Sequence, residues 1–199
     1  MKSPRSEAMY RKYYHGMIEA ITGPMFSGKT EELIKRITIL SYGGIKTLII
    51  KPRFDNRFSE DELISRSGLK IETHSATSVD EIKSLFDKSY QAIVIDEVQF
   101  FNEDLLPFLD QLANDGIRVI VSGLDQNFLR KPFGIMPQLL AMAENVTKLK
   151  AVCLICKRAA STSYRKTSEQ SEIQLGDADE YEARCRKCHV EASEKTKNK

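Results

Sequence analysis

At 199 residues, 41% hydrophobic and 29% charged, the chain suits one soluble α/β domain with a real core plus a small appendage. A formal charge of +2 calls for no nucleic-acid partner, and no apolar run approaches the roughly 18 residues of a membrane span. Residues 1–16 hold charges and tyrosines without an apolar stretch, which predicts a loose leader, a cytoplasmic location and four reduced cysteines.

Met17–Thr22 suits a buried strand, and a glycine-rich stretch follows it. Leu33, Ile34, Ile37 and Leu40 recur at helical spacing until Gly43 and Gly44 stop the helix. Residues 47–50 predict a second buried strand, ended by Lys51 and Pro52. Between Arg53 and Ser75 the polarity is high and the periodicity poor, which predicts a mobile loop or hairpin. Ser78 and Glu81 form a capping-box pattern ahead of Val79, Ile82, Leu85 and Phe86. Ala92–Ile95 reads as a strand, and Asn102 is placed to cap a helix carrying Leu105, Leu106, Leu109 and Leu112. Residues 117–122 predict another strand, and residues 148–152 the last one.

This alternation predicts an α/β fold, a mostly parallel, right-handed sheet covered by helices on both faces. The expected organisation is a nucleotide-binding domain over 17–150, a small cysteine-bearing lobe over 151–190, and a disordered charged tail over 191–199.

Gly23, Pro24, Met25, Phe26, Ser27, Gly28, Lys29 and Thr30 fit the phosphate-loop pattern G-x-x-x-x-G-K-[ST]. The pattern lies after a strand and opens a helix, where backbone N–H groups and the helix N-terminus can cradle phosphates. Lys29 would reach the β- and γ-phosphates, and Thr30 would ligate Mg²⁺. Asp96 and Glu97 follow a four-residue apolar strand, at the carboxyl end where open α/β sheets bind ligands. Asp96 is placed to hold Mg²⁺, and Glu97 to take a proton from an attacking hydroxyl or water.

Cys153, Cys156, Cys185 and Cys188 form two C-x-x-C pairs and use every cysteine in the chain. That spacing suits one structural, tetrahedral Zn²⁺ with no open coordination position. Free thiols or two redox pairs are the alternative, and His189 could replace Cys188 as the fourth ligand. From these residues the acceptor stays open. A DNA-linked ATPase with a zinc ribbon is one reading. A nucleoside monophosphate kinase using some of Arg130, Arg158, Arg165 and Arg184 is another. A nucleotide switch is a third, although the guanine-selecting N-K-x-D pattern is missing.

Residues 23–30 reading GPMFSGKT, 96–100 reading DEVQF, 123–134 reading GLDQNFLRKPFG and the paired C-x-x-C together resemble the zinc-containing thymidine kinases, in order, from about Met17 to His189. The resemblance implies a P-loop (RecA-like) domain and a zinc lobe carrying a lasso loop. It also implies transfer of the γ-phosphoryl group of ATP to thymidine, with Mg²⁺ and structural Zn²⁺, in a homotetramer. It makes Glu97 the catalytic base and brings residues 23–30, Asp96, Gln99, Asp55, Asn56 and Arg57 to ATP. Met25, Phe100, Leu124, Phe128 and Phe133 would wall the thymidine pocket. Glu172, Ile173, Gln174, Leu175 and Gly176 would meet the base through main-chain groups, with Tyr181 close by. Val98 stands where alanine is frequent in that family, and Gln126 and Asn127 are less acidic than its usual third motif; neither touches the chemistry.

Overall fold

An uninterrupted apolar run such as Ala92–Ile95 has no polar face, so its strand must lie inside a sheet covered on both sides. The computed structural model describes residues 16–53, 62–64, 70–167 and 179–197. In it β1 (Met17–Thr22), β2 (Thr47–Pro52), β3 (Glu62–Ile64), β4 (Lys70–Glu72), β5 (His74–Ala76), β6 (Ala92–Ile95), β7 (Arg118–Gly123) and β8 (Asn145–Lys148) build the larger domain. Six of them form a parallel sheet in the order β5-β2-β6-β7-β1-β8, while β3 and β4 pair antiparallel outside it.

Period-two alternation divides the core between the two faces of this sheet. Ile93 and Ile95 pack with Val79 and Ile82 of α2 (Val79–Leu85) and with Leu105 and Leu109 of α3 (Leu105–Asn114). Val94, between them, points the other way, toward Leu33, Ile37 and Leu40 of α1 (Lys29–Tyr42). A further helix, α4 (Met136–Met142), adds Met136 and Leu139 to the first face.

Two antiparallel ribbons make the smaller lobe: β9 (Ala151–Val152) with β10 (Ala159–Ala160), and β11 (Thr162–Arg165) with β12 (Tyr181–Arg184). The last helix, α5 (Arg186–Lys197), follows directly. Among the described residues no helix is long and apolar enough to cross a membrane.

Several local expectations change. The strand expected over 148–152 is two strands: β8 completes the sheet and β9 starts the lobe. As the largely exposed edge, β8 carries no apolar run to announce it. Asn102 does not cap α3 with its side chain; its carbonyl accepts from Leu105, and Asp104 precedes the helix without a capping bond. Ser78 does cap α2, accepting from the Glu81 N–H at 3.3 Å. Glu81 reaches back one residue further than the box requires, to the N–H of Thr77 at 2.8 Å. The short α4 was not expected, and the charged run from Glu191 is helical as far as Lys197 rather than disordered.

One buried ionic network ties α1 to both inner and edge strands. Glu19, in the middle of β1, is 3% exposed. Its carboxylate accepts from Arg36 Nη1 at 2.7 Å and from Arg118 Nε at 2.5 Å, while Arg36 Nη2 donates to Thr147 Oγ1 at 2.7 Å. Removing the shared anion leaves two poorly solvated guanidiniums facing each other. Glu19→Ala should therefore cost about 3 kcal/mol in urea unfolding; a loss below about 1 kcal/mol would mean that water reaches both arginines.

Candidate functional site

The loop of residues 23–28 leaves β1 at the carboxyl end of the sheet and enters α1 at Lys29. Gly23 has φ +145°, and a Cβ there would lie 2.6 Å from the Leu149 carbonyl oxygen, so only glycine fits. Phe26 (φ 64°) and Gly28 (φ 83°) are left-handed, which turns neighbouring N–H groups toward one concavity. For Phe26 this backbone costs about 1–3 kcal/mol, a strain typical of ligand clamps.

Two side chains in this loop fit a bound triphosphate. Lys29 is 7% exposed, and its ammonium donates to the Pro24 carbonyl at 3.2 Å. Among the described residues no carboxylate lies within ion-pair reach of it. Ser27 Oγ is buried with no hydrogen-bond partner among the described residues. A buried cation and an orphaned hydroxyl at a helix N-terminus are groups that phosphate oxygens would satisfy. Thr30 lies in the first turn of the same helix.

Across the sheet end, Asp96 follows β6 and is 4% exposed. Burial, and then the charge of Glu97, push its carboxyl up to about 6; the nearby Ser122 hydroxyl, the Glu97 N–H and Lys29 pull the other way. An acid with an oxygen neighbour beside the phosphate loop has the donor chemistry of a Mg²⁺ site, a hard cation taking oxygen ligands.

Glu97 is held in a left-handed conformation, φ 47° and ψ 41°, just before a 3₁₀ turn at Val98–Phe100. Its N–H donates to Asp96 Oδ1 at 3.0 Å, and its carbonyl accepts from Phe100 at 3.2 Å. Consecutive carboxylates thus point apart: Asp96 inward, and Glu97 toward Gln99, whose amide donates to Glu97 Oε2 at 2.6 Å.

The expected pocket residues occupy the phosphate loop, the 3₁₀ turn and the segment after β7. Phe100 and Phe133 make an edge-to-face pair with centroids 5.5 Å apart. Leu124 donates its N–H to Gln99 Oε1, and Met25 donates its N–H to Ser163 Oγ at 3.0 Å. Phe128 lies beneath the Arg165 guanidinium, 3.7 Å from its ring centroid, and Arg165 in turn donates to the Tyr181 hydroxyl at 2.8 Å. Tyr181 is buried and holds this arginine. Asp55, Asn56, Arg57 and the stretch 172–176 lie outside the described residues.

Ser163 and Arg165, which contact the expected pocket residues Met25 and Phe128, were not singled out for that place from the sequence. They share one face of β11 by period-two spacing, but a four-residue strand in a cysteine-rich lobe offers too short a pattern to reveal it.

Cys153, Cys156, Cys185 and Cys188 meet in one cluster, their sulfurs all within 4.8 Å of one another. Cys156 and Cys185 approach to 3.6 Å. A tetrahedral Zn²⁺ with Zn–S bonds near 2.3 Å sets sulfurs about 3.8 Å apart, so the four thiols fit that ion. For Cys153, main-chain N–H donors of Cys156, Cys185 and Ile155 outweigh desolvation and bring the thiol down to about 6. Cys188 is pushed up to about 12 by its hydrogen bond with Cys185, by desolvation and by the other thiols. A divalent cation would relieve that competition.

His189 is not in the cluster. Its Nε2 meets the Phe128 carbonyl at 2.9 Å and Nδ1 meets Ser193 Oγ at 3.3 Å. A carbonyl only accepts, so Nε2 carries the proton, and burial holds the imidazole below its ordinary range. The cluster that could hold a metal thus includes Cys188 and leaves His189 outside it.

A sequence model of the family described as thymidine kinase matches residues 16–189. A protein named thymidine kinase from Mesomycoplasma hyopneumoniae (strain 7448) is 63% identical over 182 residues, covering 91% of this chain and 99% of that protein. Proteins of the same name from Mycoplasma mobile (59% identical, 94% of this chain and 93% of the relative) and Metamycoplasma arthritidis (57%, with 91% and 94%) match comparably.

Because the folded pKa of Asp96 lies above its ordinary value of 3.8, ionising it opposes folding. That cost is absent below pH ~4, grows between ~4 and ~6, and is fully present above. Asp96→Asn should stabilise the ligand-free protein by on the order of 2 kcal/mol at pH 8, with the gain shrinking toward zero near pH 4.5. Thermal scans at the two pH values check this; an equal gain at both would remove the buried charge as its cause. Elemental analysis should find one zinc per chain, and Cys153→Ser should lose it together with several degrees of Tm. Full stability in metal-free protein would show the cluster holds nothing.

Proposed function

The chain belongs to the thymidine kinase family and is an ATP-dependent kinase, and we propose that it moves the γ-phosphoryl group of ATP to the 5′-hydroxyl of thymidine, with Glu97 as catalytic base. What carries the assignment of Glu97 is its setting. It is a carboxylate fixed in a left-handed turn, one residue beyond a buried acid and at the sheet end that bears the phosphate loop.

In this reading residues 23–30 and Lys29 bind the triphosphate, with Asp96, Gln99 and the segment Asp55, Asn56 and Arg57 around the nucleotide. Lys29 offsets charge that gathers on the transferring group. Thr30 and Asp96 would hold Mg²⁺, which supplies further charge neutralisation at the phosphates when bound. Glu97 accepts the proton of the 5′-hydroxyl as that oxygen bonds to the γ-phosphorus and ADP departs. Met25, Phe100, Leu124, Phe128 and Phe133 bind the nucleoside together with Tyr181 and residues 172–176, and exclude water that would compete as acceptor. Zn²⁺ in the four-cysteine cluster is structural.

A homotetramer in the cytoplasm completes the proposal. Exposed apolar side chains support self-association: Tyr42 and Ile39 on α1, and Val146 on the edge strand β8.

The test is Mg²⁺-dependent phosphate transfer from ATP to thymidine, run beside other nucleosides, thymidine monophosphate and single-stranded DNA. Selective formation of thymidine monophosphate is expected. Glu97→Gln should lower kcat by roughly 10²–10⁴-fold while ATP still binds. Near-normal turnover in that variant would take the base role from Glu97; hydrolysis stimulated by DNA, without transfer, would overturn the acceptor.

A further inference from the structure

Gln99 is 3% exposed and lies in the 3₁₀ turn two residues past Glu97. Both ends of its amide are engaged by protein: Nε2 donates to Glu97 Oε2 at 2.6 Å, and Oε1 accepts the Leu124 N–H at 3.1 Å. A main-chain N–H can only donate, so the Leu124 bond fixes which end of the amide is oxygen. The NH₂ end must then face Glu97.

The surroundings leave this side chain one seat. A Cβ on Gly123 would come within 2.4 Å of Gln99 Oε1, and one on Gly134 within 2.1 Å of the Gln99 carbonyl oxygen. Two close glycines thus make room for the turn and its amide at the point where β7 hands the chain to the pocket segment. Glu97 needs such support. Its left-handed backbone is strained and its side chain is only half-buried, so an untethered carboxylate there would rotate into water.

We propose that Gln99 is the positioning residue of the catalytic base, a strut that clamps Glu97 Oε2 and thereby presents Oε1 to the 5′-hydroxyl. The proton passes from that hydroxyl to Glu97 Oε1; Gln99 exchanges none. Through the Leu124 N–H the same strut joins the base to the wall of the nucleoside pocket, so pocket and base move as one piece. The inference rests on Glu97 being the base. It gives Gln99 a duty different from contact with ATP.

Three variants and a cycle test it. Gln99→Met keeps the volume and loses both bonds. Gln99→Glu keeps the volume and the acceptor for Leu124 but sets a carboxylate against Glu97. Gln99→Asn keeps the amide one methylene shorter, and serves if the others fold poorly. Expected are kcat losses of roughly 10–100-fold for Met and more for Glu, with thymidine KM within about threefold. A packing role alone would leave Glu no worse than Met. In a Glu97→Gln background, Gln99→Met should change kcat by less than about twofold, because the group it positions is gone. The same fold-loss in both backgrounds would overturn the proposal. Near-normal turnover of Glu97→Gln by itself would instead overturn the base assignment beneath it, so the two failures are distinguishable.

Discussion

Asp96 and Lys29 are opposite charges buried at one end of a parallel sheet, and among the described residues neither closes an ion pair. Taking either from water costs several kcal/mol unless something returns the lost solvation. The fold tolerates the cost because the sheet between its helix layers is apolar on both faces. Ile93 and Ile95 are fully buried on one side, and Val94 on the other. The only partly compensated charges are useful for the reason that they are costly. A triphosphate with its cation carries both signs needed to satisfy them, so ligand binding completes a site that folding leaves under-satisfied.

The strained backbone follows from the same constraint. Phe26 and Glu97 are non-glycine residues in the left-handed region, one in each of the two loops that flank the buried pair. Left-handed turns let successive N–H groups converge on phosphate, which a regular strand would not allow. Such turns persist only where their surroundings over-determine them. Here the surroundings are the rigid ends of β1 and β6, the Asp96 bond to the Glu97 N–H, and the buried Gln99 amide.

The sequence made legible what depends on local pattern. Ala-Ile-Val-Ile before Asp96 could be little but a central strand. The phosphate loop carried its own strand and helix, and the four cysteines carried their own geometry. Less legible were features whose cause lies across the chain. The edge strand β8 has exposed side chains and is recruited by pairing with β1, so no apolar run marks it. Gln99 reads as one more polar residue in DEVQF; its partners are set by Leu124, 25 residues on, and by the missing side chain of Gly123. Arg165 and His189 are ordinary in sequence and become informative only when the lobe folds against Phe128.

That last contact gives the closed cysteine cluster a purpose beyond holding the lobe together. Among the described residues the lobe grips the larger domain through Ser163 on the Met25 N–H, Arg165 over the Phe128 ring, and His189 on the Phe128 carbonyl. Two of the three grip one aromatic residue, and the third grips the phosphate loop itself. Ser163 and Arg165 come from β11, a four-residue strand paired, among the described residues, with β12 alone, and so short a ribbon is marginal in water without a staple. His189 follows Cys188 immediately, so the cysteine cluster fixes the start of the helix that presents it. A metal with no open coordination position takes no part in phosphoryl transfer. A metal held by the four cysteines would stiffen these attachments and so keep the phosphate loop and the Phe128 segment in one geometry, which a transfer reaction needs because its barrier depends on the placement of attacking and leaving oxygens.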